Sequence, residues 1–312
     1  MKILFAGTPE IAVPSLQALA AEFSLVGVLT GPDKVSGRGR RQTPPPVKTA
    51  AAELGLTVLQ PSRLGSDARR ETQKLGADLL VVFAYGRIFG PRFLSLFPMG
   101  GINMHPSSLP LYRGPSPLTA AILDGVDRTA LTVQRVALEM DAGDILRQSP
   151  LTLDGTETTG SLTDTVAQAA PPELAAVVRD IESGTVRARP QEHENATYCR
   201  LTEKADGDID WKRPAVVIER MVRAYQPWPK ARTSLNGEGL VILGSETADE
   251  ANADSQEPGT VVGVDKSRGI LIQTGEGLLA LTRLQLASRK PLDFRSFLNG
   301  AELKIGMKLG DA

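Results

Sequence analysis

The chain of 312 residues contains little of what builds disulfide frameworks and metal sites, with one cysteine, Cys199, and two histidines. A single cysteine excludes an intramolecular disulfide and fits a reducing compartment. No apolar run reaches the roughly 18 residues of a membrane span, and Met1 and Lys2 lead straight into a short apolar strand, without a secretory signal. We therefore expect a cytoplasmic monomer with no membrane contact and no metal site.

The net charge of the chain is also close to zero. The formal charge is −1, which argues against indiscriminate binding to nucleic acid, although local patches and not the total govern contact with phosphates. Hydrophobic residues make up 41% of the chain and charged residues 23%, as in ordinary globular proteins. The length leaves room for two domains.

Short apolar runs alternate with helix-like segments in the first half of the chain. The predicted strands are Ile3–Ala6, Leu25–Thr30, Leu56–Leu59, Asp78–Phe83 and Gly100–Met104. Such alternation predicts an α/β domain with a doubly wound, mostly parallel, Rossmann-like sheet. A long helix over 161–184 is expected to break or kink at Pro171 and Pro172 and to stop at Gly184. We place this domain at 1–188 and a polar linker at 189–207.

The pattern changes after Trp211. A helix over 215–224 precedes five short strands separated by glycine turns, which predicts a small β-barrel (OB-like) domain over 208–312. Trp211 is expected to be structural. For Trp228, which stands between two prolines, packing within its own domain is favoured over stacking on a base.

The glycines near the start do not form a nucleotide site. Gly7-Thr8-Pro9 lacks the G-x-G-x-x-G pattern, and Gly37 and Gly39 follow a turn and not a strand. Thr8 is instead expected to cap a helix that has Pro9 at its first position.

Asn103 and His105 close the apolar run that begins at Gly100. Residues i and i+2 of a strand point to the same face, so the amide and the imidazole lie side by side. Together they can stabilise an oxyanion and move a proton. Taken alone, the pair is equally compatible with a buried histidine that closes a strand.

The neighbouring residues resemble a known signature. Asn103-Met104-His105-Pro106-Ser107-Ser108-Leu109-Pro110, followed by Tyr112-Arg113-Gly114 and later by Met140-Asp141-Ala142-Gly143-Asp144, resembles the formyltetrahydrofolate-dependent transferases. The resemblance implies that Asn103 donates to an oxyanion and that His105 accepts a proton or holds the oxyanion. It also implies that Asp141 orients His105 and manages protonation of the departing folate nitrogen.

Further segments resemble one branch of that family, the methionyl-tRNA formyltransferases. They are Phe5–Glu10, Pro32–Lys48, Phe83–Ile88, Ile209–Trp211 and Arg223–Pro229. The resemblance implies formyl transfer from 10-formyltetrahydrofolate, as cosubstrate, to the α-amine of methionyl initiator tRNA. It also implies folate contacts, to which we assign Phe83, Ala84, Tyr85, Gly86, Ile88, Ser107, Ser108, Leu109 and Pro110.

Basic residues cluster in three places on an otherwise neutral chain, at 34–48, 211–232 and 283–308. A solvated surface is the ordinary interpretation of one such cluster, whereas three fit a selective RNA partner. We assign tRNA contacts to Lys34, Arg38, Arg40, Arg41, Lys212 and Arg213.

Three other functions share part of this pattern. A formyltransferase acting on an amino-sugar nucleotide shares the signature, but an arginine-rich loop at 38–41 is not expected in it. A purine-pathway formyltransferase lacks the last hundred residues. A non-enzymatic RNA-binding protein has no need of Asn103, His105 and Asp141.

Overall fold

The computed structural model describes residues 1–36, 41–248 and 256–310. The strands are β1 (Lys2–Gly7), β2 (Ser24–Leu29), β3 (Lys34–Ser36), β4 (Arg41–Thr43), β5 (Val58–Leu59), β6 (Leu79–Phe83), β7 (Gly101–His105), β8 (Arg128–Arg135), β9 (Ile145–Thr152), β10 (Ala231–Leu235), β11 (Glu238–Ala248), β12 (Val261–Asp265), β13 (Gly269–Gln273), β14 (Leu278–Leu286) and β15 (Leu292–Asp293). The helices are α1 (Val13–Glu22), α2 (Pro46–Glu53), α3 (Ser66–Leu75), α4 (Pro91–Leu94), α5 (Pro117–Asp124), α6 (Thr159–Glu182), α7 (Ala215–Ala224) and α8 (Phe294–Gly300).

Two compact units divide the described residues. Unit 1 comprises Met1–Pro117, Arg128–Thr152 and Leu162–Arg200. Unit 2 comprises Leu118–Asp127, Leu153–Ser161 and the chain from Leu201 onward. Two internal segments of the chain thus fold with its C-terminal part. The domain boundaries expected from the sequence, at 188 and 208, stay a prediction.

A seven-stranded sheet forms the centre of unit 1, in the order β5-β2-β1-β6-β7-β8-β9. The strands from β5 to β7 are parallel, and β8 and β9 extend the sheet antiparallel. Strands β1 and β6 are continuous apolar runs, because helices cover both faces of such a sheet. The predicted mostly parallel, doubly wound sheet is confirmed.

The helix start predicted at Thr8 is wrong. A 3-10 turn, Glu10–Ala12, leads into α1, and the residue before that turn is Pro9. The hydroxyl of Thr8 accepts from the backbone N–H of Gly31 at 3.2 Å and donates to the oxygen of Tyr85 at 3.4 Å. Its side chain therefore joins loops at the ends of neighbouring strands and does not cap a helix.

Pro171 and Pro172 were predicted to break or kink the helix, and a break is wrong, because α6 runs through both as one helix. A kink stays a prediction. Prolines remove backbone donors from a helix interior. Here Val166 and Leu174, on either side of them, are fully buried, so packing of the apolar face sustains the helix. Gly184, with φ of 73°, follows the helix end as predicted.

Unit 2 contains a six-stranded antiparallel sheet with the path β10-β11-β14-β13-β12. Strand β15 pairs with β14 at Arg283 and Leu284, beyond the part of β14 that pairs with β13. Helix α7 covers the predicted residues 215–224 and buries Ile218 and Val222. The predicted small β-domain in the C-terminal part is confirmed as a separate antiparallel sheet.

Two tryptophans have different environments in unit 2. Trp211 is 6% exposed and donates from Nε1 to Thr233 Oγ1 at 3.1 Å, so it is structural, as predicted. Trp228 is 57% exposed, so the expectation that it packs within its own domain is wrong.

Candidate functional site

Asn103 and His105 lie on one face of β7, close to its carboxyl end. The antiparallel register places Asn103 opposite Gln134 and His105 opposite Thr132, both on β8. Directly opposed residues share a face of the sheet, so these four polar side chains form one cluster. His105 is 5% exposed and Thr132 and Gln134 are fully or almost fully buried.

Asp141 reaches this cluster from a turn within the loop at 136–144, which joins β8 to β9. Its backbone has φ of 52°, a left-handed conformation that aspartate tolerates better than most residues. Two residues later the turn needs a glycine, because a Cβ atom on Gly143 would lie 1.9 Å from the backbone oxygen of Arg135. The sequence Asp-Ala-Gly therefore bends the chain sharply enough to bring the carboxylate back over β7.

The two oxygens of Asp141 have different partners. Oδ1 accepts from Asn103 Nδ2 at 3.3 Å and from Gln134 Nε2 at 3.0 Å. Oδ2 accepts from the backbone N–H of Gly114 at 2.9 Å and lies 3.6 Å from His105 Nδ1. The three residues predicted as catalytic are thus brought together, although 38 positions separate Asn103 and Asp141 in sequence.

The hydrogen bonds of His105 distinguish its two ring nitrogens. Nε2 lies 2.8 Å from the backbone oxygen of Tyr112. A carbonyl oxygen only accepts, so Nε2 carries the hydrogen and donates it. In the neutral ring the lone pair is then on Nδ1, the nitrogen that faces Asp141.

A second polar layer, missed by the sequence reasoning, holds the turn of Asp141. Gln191 donates from Nε2 to the backbone oxygens of Asp141 (2.9 Å) and Gly143 (2.7 Å). Its Oε1 accepts from Arg113, which also contacts His193 Nδ1 and Tyr198 at 3.0 Å each. The Arg113 side chain is 1% exposed. The only available signal was the proximity of Arg113 to the signature, since Gln191 and His193 lie in the segment expected to be a linker.

Cys199 lies closer to the site than its sequence position suggests. Its backbone N–H donates to the oxygen of Arg113 at 2.8 Å, and its Sγ is 3.3 Å from the same oxygen. Burial raises the pKa of the thiol, and the negative charge of Asp141 adds to the rise. The thiolate is therefore disfavoured at neutral pH.

The predicted folate segments differ in accessibility. Ala84, Gly86 and Ile88 are exposed, and Ser108 and Pro110 are half-buried. The side chains that point inward are those of Phe83, Tyr85, Ser107 and Leu109. The Tyr85 ring stacks on Phe89 with centroids 5.3 Å apart, and burial raises the pKa of its hydroxyl. A ligand at these segments would therefore meet mainly backbone groups and small side chains.

The predicted tRNA-contacting loop is described only in part. Lys34 is exposed on β3, which pairs with β4 so that Ser36 lies opposite Arg41. Arg38 and Arg40 lie outside the described residues. At the base of the loop Lys48 donates to both oxygens of Asp33 at 2.8 Å, and Gln60 Nε2 donates to Asp33 Oδ1 at 2.8 Å. These bonds hold the pKa of the Asp33 carboxyl below its ordinary value.

In unit 2, Lys212 and Arg213 are both exposed next to the buried Trp211. Other bases of the cluster at 211–232 serve internal contacts. Arg223 pairs with Glu219 through Nε and Nη2, at 2.6 and 2.9 Å, and Arg232 pairs with Asp208 at 2.6 Å. The positive surface of unit 2 is therefore smaller than the count of bases in its sequence implies.

Within 1–36, 41–248 and 256–310, no group of three or more His, Cys, Asp or Glu side chains is arranged to hold a metal ion. Among the same residues, no helix combines the length and apolar character that crossing a membrane requires.

Two protein-family models match the chain, Formyl transferase over residues 1–178 and Formyl transferase, C-terminal domain, over residues 202–302. A methionyl-tRNA formyltransferase of Treponema denticola is 44% identical over 312 residues and covers 96% of this chain and 97% of that protein. One of Chloroflexus aurantiacus is 44% identical over 314 residues and covers 100% of both.

Solved structures share the fold. The N-formyltransferase from Helicobacter canadensis in complex with folinic acid and dTDP-3-aminofucose superposes with a TM-score of 0.66. The match covers 93% of this chain and 100% of that chain at 17% identity, so it shows a common fold and nothing finer.

Proposed function

Since this chain belongs to the methionyl-tRNA formyltransferase family, we propose that it transfers a formyl group from 10-formyltetrahydrofolate to the α-amine of methionyl initiator tRNA. The observation that carries the proposal is the convergence of Asn103, His105 and Asp141 on one cluster beside β7. An amide donor, an imidazole and a carboxylate are the groups that acyl transfer to an amine needs.

In this reaction a bond forms between the amine nitrogen and the formyl carbon, and the bond from that carbon to the folate nitrogen breaks. One proton leaves the amine and one reaches the folate nitrogen, so the charges balance. Negative charge develops meanwhile on the formyl oxygen. The protein therefore has to supply a donor to that oxygen and a path for the proton.

Asn103 supplies the donor. One N–H of its amide is directed to Asp141 Oδ1. We assign the second N–H to the formyl oxygen. Removing a single donor of this kind in other enzymes slows the chemical step by roughly a hundredfold to a thousandfold. The bond to Asp141 fixes the amide before substrate arrives, so no reorganisation is needed during the reaction.

His105 and Asp141 move the proton. Because Nε2 of His105 is committed to the oxygen of Tyr112, the amine proton goes to Nδ1. Asp141 Oδ2, at 3.6 Å, then stabilises the imidazolium. From there the proton reaches the folate nitrogen, directly or through water held by Asp141.

We assign the folate cosubstrate to the exposed residues Ala84, Gly86 and Ile88 and to the half-buried Ser108 and Pro110. The signature loop that follows β7 carries the last two residues, and the first three follow the carboxyl end of β6, where ligands of parallel sheets collect. The buried ring of Tyr85 stacks on Phe89 and so anchors the segment at 84–88.

Basic residues are the candidates for contact with the tRNA, and Lys34, Lys212 and Arg213 are exposed. We assign Lys34, Arg38, Arg40 and Arg41 to the acceptor end and Lys212 and Arg213 to the phosphate backbone. The segment at 34–48 belongs to unit 1, as Asn103, His105 and Asp141 do, so its charges suit recognition of the reacting end of the tRNA. Bases in unit 2 suit contacts with phosphates, which add affinity without selecting sequence.

The test is formyl transfer to charged initiator tRNA in the presence of 10-formyltetrahydrofolate, measured as formylmethionine released after hydrolysis of the ester. A parallel reaction offers an amino-sugar nucleotide as acceptor. Transfer to the tRNA alone supports the proposal. Transfer to the sugar alone, or to neither acceptor, refutes it.

A further inference from the structure

The carboxylate of Asp141 is held by residues other than the three proposed for catalysis. Gln134, opposite Asn103 on β8, donates from Nε2 to Asp141 Oδ1 at 3.0 Å. The Oε1 atom of Gln134 accepts from Gln191 Nε2 at 3.2 Å. Gln134 and Gln191 are 1% and 5% exposed, so neither amide can exchange these partners for bulk water.

Arg113 and the backbone oxygens of Asp141 and Gly143 together determine which way both amides face. A guanidinium group only donates, and Arg113 donates to Gln191 Oε1 from Nε at 3.1 Å and from Nη2 at 2.8 Å. Gln191 therefore turns its oxygen to Arg113 and its NH2 group to Gln134. Gln134 in turn presents its oxygen to Gln191 and its NH2 group to Asp141. The chain of hydrogen bonds that starts at the donating groups of Arg113 passes through the two amides. It therefore presents an N–H group of Gln134 to the carboxylate of Asp141.

This arrangement restricts the rotation of the carboxylate about its Cβ–Cγ bond. Gln134 and Asn103 hold Oδ1, while the backbone N–H of Gly114 holds Oδ2 on the side of His105. A rotation that removed Oδ2 from His105 would also break the bond to Gln134. The donor from Gln134 and the alignment with His105 are therefore coupled.

We propose that Gln134 and Gln191 are positioning residues for formyl transfer, which keep Asp141 Oδ2 directed at His105 Nδ1. The inference rests on the proposed function, because it assumes that Asp141 acts in the reaction. Gln134 acts on the carboxylate alone. Gln191 acts on Gln134 and on the turn itself, through the backbone oxygens of Asp141 and Gly143.

The first test is Gln134→Leu, which keeps the approximate size of the side chain and removes both hydrogen bonds. We expect kcat to fall about tenfold to a hundredfold, the scale of a small misplacement of a reacting group. KM for folate and for tRNA should stay within about twofold, because Gln134 is buried beneath the site. Thr129→Val, a substitution at another buried position of β8, is the control and should leave kcat unchanged.

The second test is Gln134→Glu, which distinguishes a donor from a packing group. The introduced carboxyl group can accept from Gln191 at any pH but can donate to Asp141 only when protonated. Its proximity to Asp141 raises the pH at which it takes up that proton. We expect the ratio of variant to parent kcat to rise at least about fivefold as the pH is lowered from about 8 to about 6. A role in packing alone leaves this ratio constant.

A crystal structure of Gln134→Leu supplies a readout that does not depend on activity. A rotated Asp141 carboxylate, with Oδ2 turned away from His105, supports the positioning role. An unmoved carboxylate, or an unchanged kcat in both Gln134 variants, overturns it. If the parent protein transfers no formyl group, the proposed function fails, and the structure of the variant still decides whether Gln134 positions Asp141.

Discussion

The Nε2 atom of His105 lies 2.8 Å from the backbone oxygen of Tyr112, and this contact leaves Nδ1 as the nitrogen that exchanges a proton. The ring is 5% exposed, so it cannot turn over without giving up that bond inside the protein. Tyr112 has φ of 59°, an uncommon backbone conformation for a bulky residue, and it directs its oxygen at the ring. The segment that follows His105 in sequence, which contains Tyr112, thus also orients the His105 ring.

Replacing His105 by alanine removes the group that accepts the amine proton. We expect His105→Ala to reduce kcat for formyl transfer by a hundredfold or more, the scale of a lost general base. Added imidazole should restore part of the activity, because the cavity left by the ring adjoins Asp141. Circular dichroism should show an unchanged fold. A variant with near-normal turnover would refute the role of His105.

Asp141→Asn tests a different property, since three N–H groups donate to the carboxylate at this position. Asn103, Gln134 and Gly114 all direct N–H groups at the carboxylate, so an amide at this position sets one N–H group against another. The free energy of unfolding should fall by about 1–3 kcal/mol, the cost of a buried polar group without its partner. Turnover should fall as well, by about a hundredfold. Urea denaturation and single-turnover assays measure the two effects, and an unaltered stability would contradict the donor arrangement.

The loop arginines are expected to act on tRNA alone. Arg40→Ala combined with Arg41→Ala should lower kcat/KM for initiator tRNA by about tenfold or more and leave folate binding unchanged, because two phosphate or base contacts are lost. Fluorescence titration with a folate analogue measures folate binding by the double variant. Normal formylation of initiator tRNA by the double variant would show that these arginines are only a solvated surface.

Lys212 and Arg213 should contribute affinity without selectivity. Replacing both by alanine should weaken initiator and elongator tRNA by the same factor and reduce the slope of log K against log salt concentration by about 1 to 2. Filter binding at several salt concentrations gives both quantities. A loss confined to initiator tRNA would assign these residues a selective role and contradict the prediction.

Lys48 is expected to act through the base of the loop and not by contacting phosphate, because its ammonium group is bound to both oxygens of Asp33. Lys48→Met should therefore weaken formylation of tRNA about as much as Asp33→Asn does. If Lys48 instead contacts phosphate, Lys48→Met should be the more damaging substitution and should also lower the salt dependence of binding. Comparing the two variants in the same titration separates the alternatives.

Much of the parallel part of the sheet could be predicted from the sequence. Its strands are short apolar runs. The hydrophobicity of a short stretch of sequence is therefore enough to locate each of them. Strands β8 and β9 lie outside the predicted set. β9 is Ile145–Thr152, a strand in which half-buried and exposed residues interrupt the apolar pattern, including Pro150. Its pairing with β8 identifies β9 as a strand, and such pairing cannot be recognised from the local sequence alone.

The candidate site, too, could be predicted from the sequence only in part. Asn103, His105 and Asp141 could be named because they stand in a recognisable signature. Gln134 and Gln191 could not, since an isolated glutamine on a strand or in a polar segment has no spacing that marks it. Their significance depends on the register of β7 with β8 and on the return of the segment at 189–199 beside Arg113.

The distribution of the chain between the two units limits how its parts could be recombined. Helix α5 and residues 153–161 belong to unit 2, where the oxygen of Asp124 accepts from Arg220 at 3.0 Å and the N–H of Gly160 donates to the oxygen of Gln226 at 2.9 Å. A chimera joined at a single point near residue 200 would separate these internal segments from the helix and turn against which they fold. An exchange of the C-terminal unit between relatives therefore has to transplant three stretches of sequence together, and divergence within them is expected to be correlated.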